Sequence, residues 1–138
     1  MQLLKPVHIA VGVVGLLAFA LTGQYMAIFL KGLAETPDGP RLLYRSAHLY
    51  LMWASLLNLV VGLYFTVATG KGARIAQGIG SAMLLATPPL FLTGFFGESP
   101  TNDLVRPFSS AANYLALLGT LLHVATSGAL QRQRAPQA

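Results

Sequence analysis

Three histidines carry most of the chemistry available to this chain, and their places along four long apolar runs limit what that chemistry is. His8 lies just inside the first run, His48 near the start of the second, and His123 towards the far end of the fourth. A side chain that can ionise or bind a metal is costly inside hydrocarbon, so each is a candidate functional residue. If the chain crosses a bilayer four times, His8 and His123 reach the same membrane face at depths agreeing within one helical turn, ~5 Å. Two facing neutral imidazoles at one depth are what the two axial positions of a haem iron require.

The elements that must position these residues are helices. Apolar residues make up 54% of the 138, and charged ones only 9%, against about 25% in soluble domains. The length predicts a single domain. The apolar runs predict spans at residues 6–30, 43–69, 75–97 and 108–130, each longer than the ~20 residues that cross ~30 Å of hydrocarbon. The intervening segments 31–42, 70–74 and 98–107 are turn-rich and hold most of the charge. Connections this short predict an all-α, up-down-up-down four-helix bundle in the lipid bilayer. Ala18-Phe19-Ala20 resembles a signal-peptide cleavage site, but the apolar run continues well past it, which predicts a retained helix.

The absence of cysteine excludes disulfides, Cys-ligated zinc, iron–sulfur clusters and covalent c-type haem attachment. The net charge is +5, yet the apolar runs leave too little polar surface for nucleic-acid binding. Lys5, Lys71, Arg74, Arg132 and Arg134 fall on one side with no acid; Lys31, Arg41, Arg45 and Arg106 share the other with Glu35, Asp38, Glu98 and Asp103. Counting positive residues predicts both termini in the cytoplasm, in a bacterial inner membrane.

Residues three and four apart share a helix face. That rule joins His8, Gly12, Gly15, Phe19, Thr22 and Met26 on the first helix. It joins Tyr44, His48, Leu51, Ser55, Asn58, Gly62 and Thr66 on the second, and Ser109, Asn113, Ala116, Thr120, His123 and Ser127 on the fourth. Each histidine thus sits on the small, polar stripe that faces a bundle interior. The third helix has no comparable ligand-type stripe, only Gln77, Gly78, Gly80, Ser81 and Met83 near its start, and Pro88-Pro89 should kink it near mid-membrane. A weak repeat relates Leu21-Thr22-Gly23 to Leu92-Thr93-Gly94, and Ser46-Ala47-x-x-Tyr50-Leu51 to Ser110-Ala111-x-x-Tyr114-Leu115. The histidines do not follow it.

For the pair His8 and His123, the expected cofactor is haem b. Gly12 and Gly15 would clear space for a flat macrocycle, Lys5, Arg74 and Arg132 would meet its propionates, and Ser127 would help orient His123. Zinc is disfavoured because no Cys, Asp or Glu lies at that depth. Interhelical hydrogen bonding, a proton path or a partner-protein contact are the alternatives. On the outer side, His48 gathers with Tyr44, Arg45, Gln24, Tyr25, Met26, Asn113 and Tyr114. There, His48 and Met26 could ligate a second haem with Arg41 or Arg45 on its propionates, or His48, Tyr25 and Gln24 could bind a quinone. An ordinary interfacial belt explains the same residues. Asn58 reads as an interhelical hydrogen-bonding residue.

In its layout of few helices, histidines near both faces and glycines beside a ligand, the chain resembles small membrane b-type cytochromes. The resemblance rests on no diagnostic motif, and two bis-histidine haems would need four histidines where this chain has three. It implies electron transfer, with a quinone as one partner. The alternatives are a cofactor-free accessory subunit of a larger membrane complex, self-associated or docked on partner subunits, and a small-molecule or proton conduit.

Overall fold

A computed structural model describes residues 3–101 and 105–134, the last seven by backbone alone. Asp103 and the side chains of Arg132 and Arg134, used in the charge count, lie outside what it describes. The chain folds as α1 (Leu4–Ile28), a short 3-10 turn (Lys31–Leu33), α2 (Asp38–Tyr64), α3 (Lys71–Gly97) and α4 (Pro107–Arg134). All four helices are long and apolar enough to span a membrane. Exposed apolar side chains such as Val14, Leu21, Val60 and Leu121 cover the outside, as lipid-facing surfaces require.

The helices associate chiefly as α1 with α2 and α3 with α4, and α2 joins the two pairs through α3. Small residues set these distances, because without a hydrophobic drive in lipid, helices associate by close van der Waals contact. A Cβ on Gly12 would lie 2.6 Å from Leu59 Cγ and 2.9 Å from the Leu59 backbone nitrogen. One on Gly62 would lie 2.9 Å from the Ile9 nitrogen, and one on Gly15 would overlap the Ser55 hydroxyl. Between α3 and α4, Gly80 and Gly119 face each other's carbonyls at 3.0 and 2.9 Å by the same measure.

Each connection is held by a polar side chain that satisfies exposed backbone groups. α2 ends at Tyr64 rather than at residue 69, because Phe65 turns extended (φ −62°, ψ 121°) and β-branched Thr66, Val67 and Thr69 favour that conformation. Buried Gln77 anchors the extended segment, accepting from the Ala68 N–H at 3.1 Å and donating to the Thr66 carbonyl at 2.7 Å. Irregular backbone near hydrocarbon must find such partners. In the turn after α1, Lys31, Gly32 and Leu33 all take positive φ. The Arg41 guanidinium gathers its carbonyls, donating to Leu33 at 3.1 Å and Thr36 at 2.8 Å.

Glu98, 5% exposed, organises the approach to α4. Its carboxylate accepts from the Phe108 N–H at 2.6 Å, the Ser109 N–H at 3.3 Å and the Ser109 hydroxyl at 2.5 Å. These are the unpaired donors of a helix N-terminus, where negative charge is favoured. Arg106 pairs with Glu98 at 3.7 Å and donates to Ser46 of α2 at 2.9 Å. Gly94 leaves room for the carboxylate, since a Cβ there would lie 2.8 Å from Glu98 Oε2.

Two outcomes test this packing by thermal unfolding in detergent. Gly12→Ala should lower stability by about 1–3 kcal/mol through overpacking, whereas Gly72→Ala, open on every side, should not lower it. Glu98→Ala should cost about 1–3 kcal/mol by leaving buried donors unpaired; an unchanged midpoint would mean that α4 does not depend on this cap.

Candidate functional site: a buried histidine pair

The site begins with a missing hydrogen atom. Pro88 has no N–H, so the Leu84 carbonyl one turn earlier loses its intrahelical donor. Two side chains replace it: Thr87 donates from its hydroxyl at 2.7 Å, and Asn58 of α2 from its amide nitrogen at 2.9 Å. The same Asn58 nitrogen donates to the Ala54 carbonyl at 2.9 Å. With both carbonyls on its nitrogen side, the amide oxygen must face the other way. It lies 2.7 Å from Nδ1 of His8.

That orientation fixes the histidine. Asn58 Oδ1 can only accept, so His8 Nδ1 carries the proton and Nε2 keeps its lone pair. His8 is fully buried, and its Nε2 has no hydrogen-bond partner among the described residues. A buried unpaired polar atom costs about 1–3 kcal/mol and calls for an explanation. A proton held on one ring nitrogen while the other stays free is also how ligating histidines are oriented.

His123 stands beside it. The two ring centroids are 6.0 Å apart with planes at 83°, so the structure brings together the two residues paired from sequence. Ser81 of α3, and not Ser127 as the sequence predicts, lies 3.1 Å from His123 Nε2. Ser127 is exposed and lines the groove beside His123. Phe65 completes a ring triangle, 6.3 Å from His8 and 5.8 Å from His123. Sequence reasoning missed Phe65 by placing it inside a continuous helix. It also passed over Ser81 as a partner for a histidine.

Gly12 and Gly15 do not open space towards α4. Leu59 and Ser55 of α2 fill the volume above them, which makes them helix-contact residues. Lys5 and Arg74 are exposed.

The outer cluster disperses. His48 Nδ1 bonds the Thr22 hydroxyl at 2.9 Å, and its ring stacks on Phe19 at 4.1 Å. Met26 packs instead with Leu33, Tyr44, Ala47 and Phe95. Tyr25 stacks among Phe29, Phe95 and Phe96, while Gln24, Arg45, Asn113 and Tyr114 are exposed. Among the described residues no hydrogen bond joins His48 to Tyr25 or Gln24.

The donor set at the pair selects among cofactors. No three His, Cys, Asp or Glu side chains converge among the described residues, so a bare zinc-type ion would find too few protein ligands. Two imidazoles would suffice to hold haem b, which brings the other four donors to its iron. Phe65 is nearly equidistant from both rings. Comparison with known proteins gives no matching family model, no matching curated protein and no matching solved structure.

The tautomer is directly observable. Nitrogen-15 NMR of the protein in detergent should show His8 protonated at Nδ1 and bare at Nε2, and Asn58→Leu should abolish that preference. A His8 protonated at Nε2 in the wild type would contradict the arrangement.

Proposed function

We propose that this chain is a membrane haem-b-binding electron-transfer protein, with His8 and His123 as axial ligands. The observation that carries the reading is His8 Nε2, buried without a partner among the described residues, on a ring whose centroid lies 6.0 Å from that of a second imidazole. When bound, haem b supplies an iron centre that takes up and releases single electrons. The protein's own residues do the rest. Asn58 holds His8 in the ligating tautomer, Ser81 restrains the His123 ring, and the apolar bundle excludes water. The helices thread up-down-up-down, with both termini in the cytoplasm of a bacterium and the inner membrane as the site of action. A membrane quinone serves as electron partner.

A second reading draws on Phe65 and the filled glycine faces. With the ring triangle closed, Asn58, His8, His123 and Ser81 form a cofactor-free polar core. The chain is then an accessory subunit whose exposed apolar helices dock against other membrane proteins.

Absorption spectra of variants decide between them. Under the haem reading, His8→Ala and His123→Ala each abolish the low-spin Soret and α bands, while His48→Ala retains them. Asn58→Leu weakens haem affinity by about 10–100-fold, the usual effect of removing a group that orients a ligand. Wild-type spectra in both His8→Ala and His123→Ala would overturn the ligand assignment even in a red protein.

A further inference from the structure

His123 is held along one edge of its ring and open along the other. A Cβ placed on Gly80 would lie 3.3 Å from its Cδ2, and the Ser81 hydroxyl lies 3.1 Å from its Nε2. The Cδ2–Nε2 edge therefore faces α3, and Nδ1, across the ring, faces away from it. Nδ1 makes no hydrogen bond among the described residues. The enclosed, unpartnered side-chain nitrogens there are His8 Nε2 and Arg106 Nε, so His123 Nδ1 can be reached from outside.

Ser81 decides what Nδ1 offers. Its hydroxyl is fully buried and has no other hydrogen-bond partner among the described residues. A buried hydroxyl hydrogen needs an acceptor, and the structure gives it the lone pair of His123 Nε2. A neutral imidazole that accepts at Nε2 carries its proton on Nδ1. His123, only 9% exposed, thus presents one N–H donor on its open edge.

His123 lines a groove of about 380 Å³ between α2 and α4, a volume in the range of small-molecule sites. Tyr64, Phe65 and Val124 line it too, as does Ser127, one turn (about 5.4 Å) further along α4. Tyr64 and Val124 are more than half exposed, so the groove opens sideways, towards lipid in a membrane. None of its lining side chains is Lys, Arg, Asp or Glu. The ligand that fits is neutral, lipid-soluble, flat enough to lie against aromatic rings, and an acceptor of hydrogen bonds. A para-quinone head group meets all of these terms, with carbonyl oxygens at opposite ends of one ring.

We infer that the α2–α4 groove is the head-group site of the membrane quinone, with His123 Nδ1–H donating to one carbonyl and the Ser127 hydroxyl to the other. The inference rests on the proposed partnership with a quinone and places it beside the histidine pair, not at His48. It leaves Nε2 as the nitrogen with a lone pair, so the haem reading and the quinone contact use opposite edges of one imidazole. That is the usual division of labour in a ligating histidine, which donates its other N–H to an acceptor.

The test is a titration of the full chain in lipid nanodiscs with decylubiquinone. It is read by nitrogen-15 and proton shifts of the histidine rings, beside the Soret spectrum of protein supplied with haem. Without quinone, His123 should be protonated at Nδ1, and Ser81→Ala should remove that preference. Quinone should move the His123 Nδ1–H resonance and leave His48 unmoved. Val124→Trp should abolish binding and Ser127→Ala should weaken it by about 2–10-fold. Leu118→Trp, exposed and outside the lining, should leave it unchanged. His8-dependent Soret bands with a His123 resonance indifferent to excess quinone would overturn the groove and leave the haem standing. Quinone bound in the groove of a protein without Soret bands would support the site and overturn the haem reading. A His123 N–H resonance that differs between ester-linked and ether-linked lipids, but ignores quinone, would assign the groove to a phospholipid carbonyl and overturn the proposal.

Discussion

The Leu84 carbonyl, left without a donor by Pro88, is the constraint on which the interior depends. In water a freed carbonyl would be solvated; inside an apolar bundle it must find a donor within the protein. Asn58 reaches it across the α2–α3 interface, and that single hydrogen bond has three consequences. It joins α2 to α3, the link between the two tightly packed helix pairs. It fixes which end of the amide faces α1. Through that end it determines which nitrogen of His8 carries the proton. A proline on one helix thus sets the chemical state of a histidine on another.

The same economy recurs at the helix ends. Gln77, Arg41 and Glu98 each use one polar side chain to satisfy several backbone groups where helical pairing stops. These side chains therefore bear on shape as well as charge. Gln77 keeps the segment after α2 extended and tied to α3, which brings Phe65 against the histidine rings. The glycine contacts between α1 and α2 complete the enclosure of His8, because Gly62 lets the α1 backbone approach closely beside it. What reads as packing and what reads as a site are here the same set of contacts.

The four helices were legible because long apolar runs have few other solutions, and the observed elements sit close to the expected spans. The meeting of His8 with His123 was legible from depth alone. Asn58 could be assigned to an interhelical bond, but not to a particular carbonyl, because that required knowing that Pro88 faces α2. The end of α2 was not legible: Phe65–Thr69 is as apolar as a helix, and only the tie to Gln77 reveals the break. Gly12 and Gly15 show the limit of periodicity. A stripe of small residues says that something approaches closely, and here it is α2 that does so. Buried Glu98 looked like one more loop charge; its position ten residues before Phe108, near a helix start, was the available signal.

The central claim is that the histidine pair holds a haem. Its most direct test is the reduced-minus-oxidised absorption spectrum of wild-type protein produced with ample haem and purified in detergent, with the haem quantified as its pyridine complex. The account predicts a low-spin b-type spectrum with haem stoichiometric to the chain. A colourless, folded protein that takes up no added haemin would contradict it and leave the polar core as a packing device.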